Sequence, residues 1–391
     1  MNDKIDANVP LRVVLLTRLL DYGGAERQLV ALATGLHGRA EFDVSVVVFY
    51  SGGPLESELR EAGVRCESPN KCGRWDIVRF LFGLVRILRR NRPDVLYSFL
   101  DTPNVLSALL KSVVGRPRVV WGIRSSFVDW SQYDWLARGT FRFSRYLSRL
   151  ASRIVVNSEA GRRHYLAHGY ADARLCVIPN GIDTHRFVPD QANRALQRER
   201  LHITSDIVLI GIVGRLDAMK DHPGFVTAAG IVARRDDKLR FIVVGDGPER
   251  YRDELKAQAA ACGVSGRIVW LPAGNDMVAI YNALDILALT SIGEGFPNVV
   301  GEAMACGIPC VVTDVGDAAQ IVGETGTVVP PSDPETMASA LIALTERLAD
   351  ERESLAQQTR SRIVVQFDHN RFVERSAELL CSICKRSSGA Q

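Results

Sequence analysis

The sequence predicts an α/β protein of two domains, each built on a doubly wound parallel sheet. Three observations lead to this fold class. Apolar runs with the length of buried strands alternate with helical stretches along most of the chain. The first run ends in a glycine loop that opens a helix, as in doubly wound sheets. The length of 391 residues, with 47% hydrophobic and 24% charged residues, suits two globular domains of ordinary size.

The first domain is predicted to cover residues 1–190. Its first strand, residues 12–17, precedes Gly23 and Gly24, whose bare N–H groups at a helix start allow a phosphate to approach. The dinucleotide fingerprint G-x-G-x-x-G is absent from this loop. Further strands, with helices between them, are expected at residues 43–49, 64–66, 94–98, 118–121, 153–157 and 176–179.

The second domain is predicted to cover residues 200–366. Residues 185–200 before it are polar and lack apolar periodicity, which is typical of an interdomain linker. Strands are expected at residues 206–213, 239–245, 268–271 and 309–313, followed by a loop at 315–330, a helix from residue 334 and a last helix over about 367–391.

Two cations follow the first strand of the second domain. Arg215 and Lys220 lie five residues apart, at the end of the strand and in the loop that enters a helix. Ligands bind α/β sheets at the carboxyl ends of the strands, where such a pair can neutralise a diphosphate. Ordinary loop charge is the alternative for either residue taken alone.

Residues 290–309, TSIGEGFPNVVGEAMACGIP, combine a tight glycine turn, a helix start and two acids. Asn298 is expected to be the N-cap of a short helix over residues 299–306. Glu294 then precedes the helix, and Glu302 projects from its early turns. A helix N-terminus favours an anion, so a phosphate with sugar hydroxyls around it would use all these features. The alternative is a surface loop whose acids complement the helix dipole.

These motifs together resemble the retaining family 4, or group 1, glycosyltransferases, which have the GT-B fold. The resemblance rests on Glu-x7-Glu at residues 294–302, GGAER at 23–27, PNGID at 179–183 and G-R-x4-K at 214–220. It implies two Rossmann-like domains that face a deep cleft, with the acceptor bound by the first and the nucleotide-sugar donor by the second. It also implies that the last helix crosses back onto the first domain.

The resemblance assigns a role to each candidate residue. Arg215, Lys220 and Glu294 are the catalytic candidates, because the cations would stabilise charge on the leaving β-phosphate while Glu294 holds sugar hydroxyls. Glu302 is expected to accept hydrogen bonds from the ribose. The other donor contacts are expected from Gly23 and Gly24 at the diphosphate, from Leu271 and Val299 at the nucleotide, and from Phe296, Asn298 and Arg124 at the sugar.

Three positions depart from the family pattern. Arg124 stands where the family commonly has a histidine, and a guanidinium can bind phosphate or substrate but cannot act as a base. The family's His-x-His after the preceding strand reads Tyr97-Ser98-Phe99, and Pro297 lacks an N–H that family members have. We therefore expect no proton transfer by a histidine at either place, and one sugar contact fewer.

Metal and disulfide signatures are absent from the sequence. The chain contains no Asp-x-Asp motif, which favours catalysis without a metal or any other cofactor. The eight cysteines do not form a disulfide framework, and the Cys381–Cys384 pair is expected to pack on a helix face.

The positive charge is concentrated in the first half of the chain. Residues 1–190 hold 27 Lys/Arg and 19 Asp/Glu, a net charge of +8, and the remaining residues hold 21 and 26, a net charge of −5. This excess suits an anionic membrane or a phosphorylated acceptor, although a solvated basic surface would have the same composition. Basic amphipathic stretches at residues 75–90 and 136–153 either lie on anionic lipid or pack on the core with their charges in water.

The expected location is the cytoplasm, with peripheral attachment to the inner face of the membrane. The N-terminus is polar and acidic rather than a signal peptide, and no apolar run has the length of a membrane span.

The predicted function is transfer of a hexose or N-acetylhexosamine from a nucleotide-diphosphate sugar, UDP-linked by analogy with the family, to a glycan or polyprenyl-linked precursor. The resemblance implies retention of the anomeric configuration, without a metal. A nucleotide-sugar epimerase of GT-B fold and a non-catalytic sugar-nucleotide-binding protein are the alternatives. No nucleic acid partner is expected.

Overall fold

The computed structural model of the chain describes residues 9–73, 75–124, 143–274 and 276–385. The chain divides into two compact units. The first comprises residues 1–181 and 369–391, and the second comprises residues 182–368. The first boundary therefore lies between Gly181 and Ile182, before the stretch that the sequence predicts as a linker.

The first unit contains a parallel sheet of seven strands among its described residues. These are β1 Leu11–Thr17, β2 Phe42–Val48, β3 Arg65–Glu67, β4 Val95–Phe99, β5 Arg118–Ile123, β6 Arg153–Val156 and β7 Leu175–Val177. Their order is β3-β2-β1-β4-β5-β6-β7, so the chain reverses direction across the sheet between β1 and β4. The α-helices between them are α1 Gly24–His37, α2 Glu56–Glu61, α3 Ile77–Asn91, α4 Asp101–Leu110 and α5 Glu159–Ala167, and residues 143–147 are also helical.

The second unit contains a parallel sheet of six strands in the part of it that the structure describes. These are β8 Val208–Val213, β9 Leu239–Val244, β10 Ile268–Leu271, β11 Ile286–Leu289, β12 Cys310–Thr313 and β13 Thr327–Val329, in the order β10-β9-β8-β11-β12-β13. Its helices are α6 Gln191–Arg200, α7 His222–Ala233, α8 Glu249–Ala261, α9 Met277–Ala283, α10 Asn298–Ala305, α11 Ala318–Val322 and α12 Pro334–Gln366. The predicted fold class, two doubly wound Rossmann-like sheets, is confirmed.

One face of the first sheet packs on α1 and on the last helix of the chain, α13 His369–Lys385. Leu29 and Leu32 of α1 share an apolar core with Phe372 and Leu380 of α13. Cys381 and Cys384 pack against this same core, in line with their expected place on a helix face. The C-terminal helix is thus a structural part of the first unit.

The other face of the first sheet packs on α3 and α4. The strand register places Leu96 of β4 between Val14 of β1 and Val119 of β5, so these three side chains lie on one sheet face. Val14 and Leu96 pack with Phe80 of α3, and Val119 packs with Ala108 of α4. The helices α3 and α4 therefore form a single layer over the sheet.

The stretch predicted as a linker contains helix α6, and this prediction is wrong. Asp190 caps the helix, since its carboxylate accepts the Asn193 N–H at 3.0 Å. Arg194 Nη2 and Arg198 Nη1 bind the two oxygens of the buried Asp285 carboxylate at 2.7 and 3.0 Å. Because guanidinium groups rather than an apolar stripe attach α6 to its unit, its sequence lacks the periodicity by which helices are recognised.

Three short elements lie inside residues 315–330, which the sequence predicts as a loop. They are α11, with five residues, a 3-10 helix at Gly323–Thr325, and β13, with three residues. Elements this short hold too few residues to show a helical or strand period. The ends of most other elements differ from the predicted ones by one or two residues, which is the usual uncertainty of an element boundary.

Candidate functional site

Hydrogen bonds join the loop after β8 to the loop after β11. The two strands are neighbours in the second sheet, so their carboxyl ends lie side by side. Thr290 Oγ1 donates to the Lys220 carbonyl at 2.8 Å, and the Ile292 N–H donates to the Met219 carbonyl at 2.9 Å. Residues about seventy positions apart in the sequence are thereby fixed in one site.

Lys220 and Glu294 form an ion pair in this site. Lys220 Nζ lies 2.5 Å from Glu294 Oε1, and the side chains are 20% and 12% exposed. The Ser291 hydroxyl donates to the same carboxylate oxygen at 2.7 Å. An ion pair with so little exposure is only weakly screened by solvent, so the two side chains hold each other firmly in place.

The backbone at Glu294 and Gly295 is held against Gly316. Gly316 has φ of +58°, and a Cβ there would lie 2.5 Å from the Gly295 carbonyl oxygen and 2.6 Å from that of Glu294. The Asp317 N–H donates to the Gly295 carbonyl at 2.9 Å. A glycine is required at position 316 because the loop that carries Glu294 passes too close for a side chain.

Glu302 projects from α10 and accepts a hydrogen bond from a buried tyrosine. Tyr281, in α9, donates its hydroxyl to Glu302 Oε2 at 2.7 Å. Burial and the charge of Glu302 raise the pKa of Tyr281 well above its usual range, so the hydroxyl remains a donor. A buried side chain thus holds one oxygen of Glu302, the carboxylate that is predicted to bind the ribose.

The start of α10 differs by one residue from the prediction. The helix begins at Asn298, and Pro297 is its N-cap, with no side-chain cap. The Pro297 carbonyl accepts the Val300 N–H at 3.1 Å. Proline can occupy this place because the φ of −72° at position 297 suits its ring.

The other donor candidates of the second unit differ in exposure. The Arg215 side chain is 84% exposed and pairs with Asp217 at 3.1 Å, and among the described residues no ion pair joins it to Glu294. Phe296 is buried and packs edge-on against Phe367, with ring centroids 5.5 Å apart. Half-buried Val299 packs on the apolar core. The Leu271 carbonyl accepts the Gly245 N–H at 3.0 Å.

In the first unit, Gly23 and Gly24 stand at the N-terminus of α1 as predicted from the sequence. Gly23 is the N-cap and Gly24 the first helical residue. The Glu26 carboxylate folds back onto this end, where a Cβ on Gly23 would lie 2.1 Å from Glu26 Oε2. Burial raises the pKa of Glu26, and the nearby Asp21 adds to the rise. A phosphate that approaches these N–H groups would meet the Glu26 carboxylate there.

Arg124 lies just beyond β5 in the first unit. Its Nη1 donates to Asn180 Oδ1 at 2.9 Å, and its guanidinium carbon lies 4.9 Å from the Phe99 ring centroid and 5.4 Å from that of Phe372. Its Nε and Nη2 are buried and have no hydrogen-bond partner among the described residues. Burial lowers the pKa of Arg124 from its usual value. The next residues in the sequence, Ser125 and Ser126, lie outside the described residues.

Sequence reasoning missed the residues that position the predicted acids. Tyr281 and Ser291 each donate to one of the two carboxylates, and Thr290 ties the Lys220 loop in place. Their position in the sequence could have indicated this role. Tyr281 precedes β11, and Thr290 and Ser291 follow it, shortly before Glu294. A polar side chain inside an apolar run needs a partner, and the nearest chemically important groups are those acids.

No metal site is evident in the part of the chain that the structure describes, where no three His, Cys, Asp or Glu side chains converge. Metal independence therefore stays a prediction from the sequence.

Comparison with known families covers both units. Residues 22–186 match the family described as Glycosyltransferase Family 4, and residues 208–347 match Glycosyl transferases group 1. Together the two matches span well over half of the chain.

Curated relatives and a solved structure agree with these matches. The chain is 23% identical over 322 residues to the UDP-Gal:alpha-D-GlcNAc-diphosphoundecaprenol alpha-1,3-galactosyltransferase of Escherichia coli, with 78% of this chain and 81% of that protein covered. It is 35% identical over 205 residues to the D-inositol 3-phosphate glycosyltransferase of Saccharomonospora viridis, with 49% and 47% covered.

The crystal structure of Anabaena HepE in complex with UDP-glucose superposes with a TM-score of 0.83 at 22% identity, over 95% of this chain and 100% of that one. This likeness establishes the GT-B fold. From the two family matches, the fold and the relatives, the chain is an enzyme that belongs to the family 4, or group 1, glycosyltransferases.

Proposed function

We propose that this enzyme transfers a hexose or N-acetylhexosamine from a UDP-linked sugar to a glycan or polyprenyl-linked glycan precursor, with retention of configuration and without a metal. The observation that carries the proposal is the Lys220–Glu294 ion pair at the carboxyl ends of β8 and β11, with Glu302 on helix α10, which follows that loop. A cation for a diphosphate and two acids for hydroxyl groups are the features a nucleotide sugar requires.

Departure of the nucleotide builds negative charge on the β-phosphate. Lys220 is the cation best placed to stabilise that charge, because it is already desolvated and fixed by its loop. Arg215 is free to swing toward the phosphates, since its side chain is mostly in solvent. The Gly24 N–H at the start of α1 is the contribution that we assign to the first unit.

The two carboxylates have separate tasks in this proposal. Glu294 accepts hydrogen bonds from the transferred sugar, and backbone N–H groups of Phe296 and Asn298 add contacts. Glu302 accepts from the ribose, oriented by Tyr281. Arg124 is our candidate for a further contact to the sugar or phosphate, and its buried Nε and Nη2 would have to turn toward the ligand to make it.

The chemical step is a front-face displacement guided by the donor phosphate. The bond from the anomeric carbon to the phosphate oxygen breaks while the acceptor oxygen bonds to that carbon on the same face. The acceptor hydroxyl proton passes to the departing phosphate, so the step needs neither a histidine base nor a second nucleophilic carboxylate.

Known relatives support the choice of donor and acceptor. The Escherichia coli relative uses UDP-Gal and a diphosphoundecaprenol-linked acceptor, and HepE has been crystallised with UDP and with UDP-glucose. A lipid-linked acceptor places the reaction at a membrane surface, on the cytoplasmic side in our proposal.

The test is a donor and acceptor panel. The purified protein is incubated with UDP-glucose, UDP-galactose and their N-acetylamino forms, with and without a lipid extract, and products are identified by mass spectrometry. We expect UDP release and a sugar-extended lipid only with the extract, and the same rate in EDTA. NMR of the product then gives the anomeric configuration.

Three results would contradict parts of the proposal. Rearranged or free sugar without an acceptor would indicate an epimerase or hydrolase. Activity that is lost in EDTA and restored by magnesium would contradict metal independence. A product with inverted anomeric configuration would contradict the front-face mechanism.

A further inference from the structure

The outer surface of α3 exposes large apolar side chains. Val78 is 83% exposed and Phe82 73%, and they lie one turn apart on the same face of the helix. Trp75, just before the helix, is 88% exposed. On the opposite face, Phe80 and Leu84 pack in the core. Helix α3 is therefore apolar on its exposed face as well as on its packed face.

More exposed apolar groups lie on the same helical layer of the first unit. The layer consists of α3, α4 and residues 143–150, which all pack on the sheet face defined by Val14, Leu96 and Val119. Two contacts link its parts side by side: Arg89 Nε donates to the Val113 carbonyl at 2.9 Å, and Lys111 Nζ donates to the Leu150 carbonyl at 3.1 Å. The further exposed apolar residues are Leu109, Val113, Phe143, Tyr146 and Leu150.

The layer is also strongly basic. Helices α3 and α4 and residues 143–150 together contain six arginines and one acid, Asp101. Arg79 and Arg86 stand among the exposed apolar residues of α3. The surface therefore combines bulky apolar groups with positive charge, whereas an ordinary solvated helix face has charge alone.

We propose that this outer face, formed by α3, α4 and residues 143–150, docks onto an anionic phospholipid bilayer. Trp75, Val78 and Phe82 enter the boundary between headgroups and acyl chains, and Arg79 and Arg86 bind the lipid phosphates. No helix in the described residues is long and apolar enough to cross a bilayer, so the contact is peripheral. The proposal deepens the proposed function and rests on it, since a polyprenyl-linked acceptor would itself lie in a membrane.

An anionic membrane fits better than an acidic protein. The apolar groups are spread over three neighbouring helical segments, and no described residue covers Phe82 or Trp75. A broad surface formed by three segments suits a fluid partner that adapts its own shape, and arginines on such a surface can bind lipid phosphates at many positions.

Vesicle sedimentation with the full chain tests the proposal. The vesicles are phosphatidylcholine alone, or phosphatidylcholine with about 30 mol % phosphatidylglycerol to supply the negative surface potential. We expect binding to the anionic vesicles and a decline with added salt. The double variant Arg79→Ala/Arg86→Ala should weaken binding about 25-fold, because each arginine near the membrane surface contributes about fivefold to the affinity. Val78→Ser/Phe82→Ser should weaken it about tenfold or more.

Matched controls come from the second unit. Arg234→Ala/Arg235→Ala removes two exposed arginines, and Val365→Ser removes an exposed valine, and both should leave vesicle binding unchanged. All substituted side chains are exposed, so thermal melts should coincide with that of the unmodified chain.

Several outcomes would overturn the proposal. The first is that the unmodified chain does not sediment with anionic vesicles. The second is that it binds neutral vesicles equally well. The third is that the α3 variants sediment like the controls. Retention on an acidic protein column without vesicle binding would indicate a protein partner instead. Because sedimentation needs neither donor nor turnover, a failed transfer assay and a failed vesicle assay remain distinguishable.

Discussion

Replacing Lys220 by alanine tests the candidate site most directly. The side chain is 20% exposed and lies 2.5 Å from Glu294, so its charge acts in a poorly screened environment. A group of this kind contributes about 2–4 kcal/mol to a charged transition state. At about 1.4 kcal/mol for each factor of ten, Lys220→Ala should lower kcat/KM between about 30-fold and 1,000-fold.

The assay follows UDP release with saturating acceptor, and kcat and KM are determined separately. A thermal melt accompanies each variant, because loss of the ion pair leaves the Glu294 carboxylate with less compensation, at about 1–3 kcal/mol. Lys220→Arg keeps the positive charge and should retain more activity than Lys220→Ala. The matched control is Lys238→Ala, which removes an exposed lysine that pairs with Asp206 at 3.5 Å.

An active Lys220→Ala variant would refute the reasoning. If it folds and its kcat/KM stays within threefold of the Lys238→Ala control, roughly 0.7 kcal/mol, Lys220 does not stabilise the leaving group. The leaving-group cation would then have to be sought elsewhere in the chain.

Three further predictions address groups around the site. Tyr281→Phe removes the hydrogen bond to Glu302, worth about 1.5–3 kcal/mol, so KM for the donor should rise about tenfold or more while kcat changes less, and an unchanged KM would exclude a positioning role. Asp285→Asn leaves its three arginines without a countercharge, so urea unfolding should show a loss of about 3–5 kcal/mol, and a loss below 1 kcal/mol would contradict this. Burial lowers the pKa of His222 to about 4, below the value of about 6.5 in the unfolded chain. The unfolded state therefore binds the proton first, and stability should fall by roughly 3 kcal/mol between pH 6.5 and pH 4, a decline that His222→Leu should reduce.

The fold could be predicted from the sequence, and so could the position of the acidic and basic candidates after apolar runs, whose roles stay predictions. Buried parallel strands appear as short apolar runs, and Lys220, Glu294 and Glu302 belong to motifs that follow such runs. The structure adds that β8 and β11 are neighbours where the strand order reverses, which brings the Lys220 and Glu294 loops together.

The groups that hold these residues in place could not be predicted in the same way. Tyr281 lies next to Asn282 in a mostly apolar stretch, and only the three-dimensional structure shows that its hydroxyl reaches Glu302. Helix α6 escaped recognition because Asp285, some ninety residues later, supplies the charge that its arginines need. Contacts between distant segments leave no periodic mark on either one.

The exposure of α3 was equally hidden. Residues 75–90 have the same pattern whether Phe82 packs inside or faces solvent, and only the structure distinguishes the two arrangements. The second basic stretch, residues 136–153, lies partly outside the described residues, so the prediction for residues 136–142 stays open.

The place of α13 in the first unit has a consequence for biosynthesis. Phe372, Val373, Ala377, Leu380 and Ile383 complete a core whose other members lie in the first half of the chain. While the ribosome is still translating the second unit, the nascent first unit has an open apolar groove along α1. That core is completed only after α13 has left the exit tunnel, so the unit that is made first completes its core after the second unit has been synthesised.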